Sequence, residues 1–197
     1  MSLFIAMFSF SLAMSISPGP VNMVIVSSGA NYGVRKTFSF VSGGTIGFTL
    51  LLLFIGFGFS KVIDLYPYFL KYLAVVGSLF IMHLGYLIAT SKPELDIKAD
   101  KKLTFLQGFL LQWLNPKAWI ACMIGVSLFS VPNSHQQFLT FSLVYFIVCY
   151  LSLFSWSVLG SKAAIFLNNE FKLKVFNLLM AGLLIMTACF LLYSQFN

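Results

Sequence analysis

Six apolar runs, each 22 residues or longer, leave this chain almost no way to fold in water. They cover roughly 3–29, 38–59, 67–90, 104–130, 137–160 and 174–196. A helix rises 1.5 Å per residue, so about 20 apolar residues cross a hydrocarbon layer of about 30 Å. Within that layer every backbone amide must be satisfied by the protein itself, which admits helices or a closed barrel. Barrel strands would be about 10 residues long with alternating polarity. These runs are longer and apolar throughout. The expected fold is therefore all-α integral membrane, with six transmembrane helices.

Composition removes the soluble alternatives. Hydrophobic residues fill 59% of the 197 positions and charged residues 9%. Soluble domains carry about 45–50% and about 25%. Such a chain cannot cover a soluble globule with polar groups. A soluble enzyme, a nucleic-acid-binding module and a disordered segment are excluded, and the lipid bilayer is the expected surroundings. The net charge of +7 does not point to nucleic acid, because its Lys and Arg residues sit mostly at the ends of apolar runs. Arg35, Lys36, Lys92, Lys98, Lys101, Lys102, Lys162, Lys172 and Lys174 fall on one side of the alternating connections, against Lys61 and Lys71 on the other. Nine against two orients the first side to the cytoplasm and both termini outward. Residues 1–34 carry no charge, so the first run lacks the basic flank of a cleaved signal and reads as a retained span.

The chain reads as a single transmembrane domain, 1–197. Its parts are repeat one at about 1–90, a cytoplasmic connector at about 91–103 and repeat two at about 104–197. The repeats are announced by proline. Ser17-Pro18-Gly19-Pro20-Val21-Asn22 interrupts the first span, and Asn115-Pro116-Lys117-Ala118 interrupts the fourth. Each proline removes a donor and crowds the preceding turn. The two breaks hold corresponding places in two three-helix halves, which predicts inverted repeats with the first and fourth helices broken at proline. Paired broken helices point to a transporter's central site, where half-helix ends present partial charges near the midplane.

At these residues the sequence resembles the lysine exporter superfamily, in its homoserine/threonine efflux branch. The resemblance rests on Ser17-Pro18-Gly19-Pro20 with Asn22, and on Gly29 to Gly33 leading into Arg35. It continues with Gly43, Gly44 and Gly47, then Gln112-Trp113-Leu114-Asn115-Pro116-Lys117-Ala118-Trp119. Within the branch, Ser27-Ser28-Gly29 through Arg35 and Ala89-Thr90-Ser91 are similar to the cysteine and O-acetylserine exporters. The resemblance implies a bacterial inner-membrane exporter of amino acids or their derivatives, driven by the proton motive force. It implies a small-molecule substrate, no enzymatic activity and no cofactor.

The substrate-binding candidates are Pro18, Pro20, Asn22, Gln112, Asn115, Pro116 and Lys117. The amide side chains donate and accept hydrogen bonds. Lys117, the one formal charge between Leu103 and Ser161, is costly in a bilayer unless paired or wetted. It would attract a carboxylate, pair with carbonyls or snorkel to an interface. The five acids, Asp64, Glu94, Asp96, Asp100 and Glu170, all lie at span ends or in connections. His83 is left as the proton-coupling candidate, and an uncoupled facilitator or channel for small polar metabolites stays open. Cys122, Cys149 and Cys189 lie singly in apolar runs and read as buried small hydrophobes, with no metal site. The first half has no cysteine, which speaks against a carrier that pairs thiols across the repeats. Gly29-x-x-x-Gly33 and Gly43-x-x-x-Gly47 permit close helix approach, within one bundle or in a homo-oligomer.

Overall fold

Proline and glycine decide where the helices stop. In the computed structural model, which describes residues 3–59, 68–90, 103–130, 135–167 and 169–196, all regular structure is helical. The connector at 91–102 and Lys61 lie outside the described residues. Helix α1 (Leu3–Ile16) ends before Ser17-Pro18-Gly19, and α2 (Pro20–Phe54) restarts with proline at its first position. A missing N–H is harmless there, since no partner exists for it. A turn of π-helix (Ile55–Phe59) follows, then α3 (Phe69–Ala89). Helix α4 (Phe105–Trp113) is short and gives way to α5 (Pro116–Phe129). Two long helices complete the chain, α6 (Gln136–Ala163) and α7 (Glu170–Phe196).

Helix α2 is a hairpin. Gly33 has φ 77° and ψ 168°, outside helical space, and reverses the chain in a single residue. In a straight helix, the 23 steps from Val21 to Gly44 would span about 35 Å. Instead a Cβ on Gly44 would lie 3.7 Å from Val21 Cγ1, and the hydroxyls of Ser28 and Thr37 bond across the turn at 2.9 Å. The sequence reading placed a polar connection at 30–37. Only Gly33 leaves the helix, because glycine alone tolerates this conformation without strain. Nothing lies within 4 Å of its missing side chain, so Gly33 turns the chain rather than packing helices. Gly33→Ala is expected to cost about 1–3 kcal/mol, read as a lower melting temperature in detergent.

Among the described residues, four helical segments are long and apolar enough to cross a membrane: Pro20–Gly58, Lys71–Ala89, Gln136–Ala163 and Glu170–Tyr193. Leu3–Ile16 and Pro116–Phe129 are apolar but shorter. The hairpin and the two breaks account for the difference from six uninterrupted runs. Backbones approach closely at two seams. A Cβ on Gly43 would overlap the Phe105 carbonyl, and one on Gly108 the Phe40 carbonyl, which locks α2 to α4. Gly29 meets the Ser157 carbonyl and Gly160 the Val26 carbonyl, which locks α2 to α6. Helix α3 lies along α7, where Ser78 Oγ donates to Ala188 O at 3.1 Å. Thr104 and Gln107 form a capping box that starts α4.

The α2 turn, the end of α6 and the start of α7 share one end of the bundle. Asn31 and Asn177 exchange amide hydrogen bonds there at 2.7 and 2.9 Å. Arg35, Lys162, Lys172 and Lys174 are all exposed near it. Large apolar side chains such as Leu151 and Phe190 cover the outside. That is the surface hydrocarbon requires, and water would penalise it. Cys122 and Cys149 are buried as expected, but Cys189 is exposed on the outer face of α7.

Candidate functional site

The two breaks meet. At the first, Asn22 turns its amide back and donates to Ser15 O at 3.1 Å and Ser17 O at 2.9 Å. It thereby satisfies carbonyls that the end of α1 leaves open. Gly19 precedes α2 in extended conformation and has no side chain to cap with. No side chain caps α2, and its first-turn residues Val21 and Asn22 lie at the site. At the second break, Asn115 Oδ1 accepts from the Lys117 amide at 3.1 Å and caps α5. Trp119 Nε1 donates to Trp113 O at 2.7 Å, which satisfies an end carbonyl of α4.

Lys117 joins the breaks. Its Nζ donates to Ser17 Oγ at 2.8 Å and to Pro18 O at 3.2 Å, and lies 3.5 Å from Ser17 O. Of the three sequence readings for this lysine, pairing with chain oxygens is the one these bonds display. The bond to Pro18 is exposed, which puts the ammonium at the mouth of the site.

Between the breaks lies a cavity with about 430 Å³ of empty space, counting its open mouth. Pro20, Asn22, Gln112, Asn115 and Lys117 all line it. Pro18 does not, although its carbonyl holds Lys117. Pro116 is buried at the start of α5, outside the lining. His83 is exposed on the outer face of α3 and takes no part in the lining. The depth of the cavity suits a bilayer. The 14 residues of α1 reach about 21 Å to one side of the first break, and the α2 arm 20–32 about 20 Å to the other.

Sequence reasoning missed the floor. Ser15 comes from α1, Phe48 from the far arm of α2, and Tyr145 and Cys149 from α6. Phe48 and Tyr145 stack at 4.3 Å with planes 11° apart. A signal existed in α6. Ser142, Tyr145, Cys149 and Ser152 recur every three or four residues and are all buried. Such a stripe in an apolar run marks the face turned toward protein.

Electrostatically the cavity is one-sided. An ammonium and two helix N-termini, those of α2 and α5, converge on it. Its lining contains no Asp or Glu. Helix N-termini carry roughly half a positive charge each, so the site favours an anionic group such as a carboxylate.

A family model described as LysE type translocator matches residues 12–195. The chain belongs to the LysE type translocator family. The match spans both breaks and all of the cavity lining. This translocator family is one of transporters, not of enzymes, and the residues that carried the sequence resemblance lie inside the match. Among curated relatives, the cysteine/O-acetylserine efflux protein of Escherichia coli strain K12 is 31% identical over 131 residues, 66% of each chain. The proteins of that description from Shigella flexneri serotype 5b (strain 8401) and from Escherichia coli O1:K1 show the same identity and coverage. The aligned part therefore spans just under two thirds of these relatives. No solved structure matches the chain.

Proposed function

We propose that the protein is a secondary transporter that exports amino acids or amino-acid derivatives across the bacterial inner membrane. The observation that carries this reading is the cavity at the meeting of the two breaks, where Lys117 and the open N-terminus of α2 present positive charge to a buried space. A zwitterion fits it. Its carboxylate would take Lys117 and the first-turn amides of α2. Its ammonium would find neutral acceptors in Asn22 Oδ1 and the Gln112 amide, neither of which has another side-chain hydrogen-bond partner among the described residues. The relatives named for cysteine and O-acetylserine efflux support a small, neutral cargo.

Alternating access then works around this cavity. Lys117 bridges the breaks through Ser17 and Pro18. A bound carboxylate competes for the same ammonium, loosens the bridge and lets one half rock against the other. Two inverted three-helix repeats, formed by 1–90 and 104–197, would provide the moving bodies. The α2 hairpin would split between the first and second spans. The basic end would face the cytoplasm, with both termini outside. Coupling to the proton motive force is part of the proposal, with His83 as its candidate. The absence of Asp, Glu and His from the lining favours a second reading, an uncoupled facilitator.

The test uses purified protein in liposomes with an imposed pH gradient. Labelled cysteine, O-acetylserine, threonine and lysine are loaded singly and their release followed. Release of a neutral amino acid that accelerates with the gradient supports a coupled exporter. Release indifferent to the gradient selects the facilitator, and no release of any substrate sinks the amino-acid reading. Two Asn115 variants separate its roles. Asn115→Ala should lower stability by about 1 kcal/mol through the lost cap. Asn115→Asp keeps the cap but sets a negative charge against the substrate carboxylate. Its export should fall at least as far as that of Asn115→Ala while its melting temperature stays near wild type.

A further inference from the structure

One end of the bundle gathers nearly all of the charge outside the cavity. Arg35 and Lys36 follow the Gly33 turn, Lys162 lies in the last turn of α6, and Lys172 and Lys174 begin α7. Contacts hold these helix ends together. Asn31 and Asn177 exchange amide hydrogen bonds, and Gly29 packs on α6 at Ser157 and Ser161. Among the described residues Glu170 is the one acid, and only Lys71 and Lys117 place a cation elsewhere. In sequence, the connector at 91–102 adds four lysines and three acids, so it brings no net negative charge. The same end exposes Ile165, Phe166 and Phe171, at 73%, 79% and 72%. An ordered turn presents them. Ile165 N donates to Lys162 O at 3.2 Å, Phe166 N to Ala163 O at 3.0 Å, and Phe171 N to Asn169 Oδ1 at 2.9 Å. Depth sets these three apart from side chains such as Leu151, which is exposed in the middle of α6. The 28 residues of α6 span about 42 Å, against a hydrocarbon layer of about 30 Å. Its end therefore reaches the headgroups, and Ile165, Phe166 and Phe171 stand there among charges.

We infer that this end of the bundle is a docking surface for anionic phospholipid. Arg35, Lys162, Lys172 and Lys174 take the headgroup phosphates, while Ile165, Phe166 and Phe171 enter the boundary between headgroups and acyl chains. Water penalises three large apolar side chains exposed around one turn. The headgroup boundary accepts them. Cations gathered at one end repel one another, and each lysine or arginine gains attraction at an anionic lipid surface. A neutral bilayer would accept the apolar side chains and leave the charge unanswered. A soluble acidic protein would answer the charge, but the apolar side chains beside it stand where lipid already is. The cations come from separate elements: the α2 hairpin, the end of α6 and the start of α7. Headgroups that bridge them tie those ends together, so anionic lipid stabilises the folded state.

The test follows the melting temperature of the full chain, purified in a neutral detergent, as lipid is added. Phosphatidylglycerol should raise it by about 5 °C, and phosphatidylcholine with the same acyl chains by no more than about 1 °C. Salt at about 1 M, where charge reaches only about 3 Å, should remove most of the difference. Soluble glycerol phosphate should give no shift, since it brings the anion without the acyl chains. Arg35→Gln, Lys162→Gln, Lys172→Gln and Lys174→Gln together should raise the phosphatidylglycerol concentration for half the shift by at least about tenfold. Should that variant fail to fold, Lys172→Gln with Lys174→Gln is used, with about a threefold rise expected. Lys71→Gln removes a cation away from this end and should leave the response intact. Equal shifts with phosphatidylglycerol and phosphatidylcholine overturn the inference, as does an unchanged response in the folded variant. A shift with glycerol phosphate as large as with the lipid overturns it too, because the surface would then bind free phosphate.

Discussion

Lys117→Met should reduce amino-acid export by roughly 30- to 100-fold, equivalent to about 2–3 kcal/mol of lost binding to the carboxylate. The lysine side chain is the one formal charge in the cavity lining. Removing it leaves the carboxylate of the cargo facing only the amides at the start of α2. The variant also loses the bonds to Ser17 Oγ and Pro18 O. Its amount in the membrane and its melting temperature must therefore be measured beside transport. Lys117→Arg keeps the charge but replaces a compact ammonium with a planar fork. It should recover part of the rate and remain below wild type. Wild-type export by Lys117→Met would show that the ammonium never meets the cargo.

Gly77→Ala should lower the melting temperature by roughly 10 °C, the result of about 3 kcal/mol of overpacking in a chain of this size. Gly77 sits on α3 against the second break, where an added Cβ would overlap the Leu114 carbonyl and lie 3.6 Å from Pro116 Cδ. A backbone carbonyl next to a proline has little freedom to yield. The methyl would push α3 off the break or shift Asn115 and its cap. Gly182→Ala is the matched control. Nothing lies within 4 Å of a Cβ there, so the change should be neutral or should stabilise α7 by up to about 1 kcal/mol. Equal melting temperatures for the two variants would show that α3 is not seated against the break as described.

What could be read from the sequence follows from how local each signal is. Prolines act on their own turn, so both helix interruptions were visible, with Asn22, Gln112, Asn115 and Lys117 beside them. That these residues share a cavity depended on pairing the breaks, which matching positions in the two halves suggested. The floor depends on contacts between distant segments. Tyr145 and Cys149 stand one helical turn apart in an apolar run, and nothing local separates them from packing residues. Only the buried stripe from Ser142 to Ser152 sets that face apart, and it emerges when helical period is applied to small polar groups. Gly33 was misjudged for a related reason. A glycine four residues after Gly29 has the spacing of a packing seam, yet its place at the end of an apolar arm made it the point of reversal. His83 was chosen by residue type, and its place on the exposed face of α3, away from the cavity lining, depends on a helical phase that residue type does not carry.

The single-residue reversal at Gly33 bears on how the molecule can move. Two arms joined by a long strand of chain could slide past one another. Arms that meet at one glycine, with Ser28 and Thr37 bonded across the joint, have no slack for sliding. They can only spread or close like the legs of a compass. The pivot lies at the basic end, and the leg bearing Pro20 and Asn22 swings against the leg bearing Phe48. Because the cavity stands about 20 Å from that pivot, a turn of a few degrees there displaces its walls by an ångström or two. That distance is enough to break or remake a hydrogen bond.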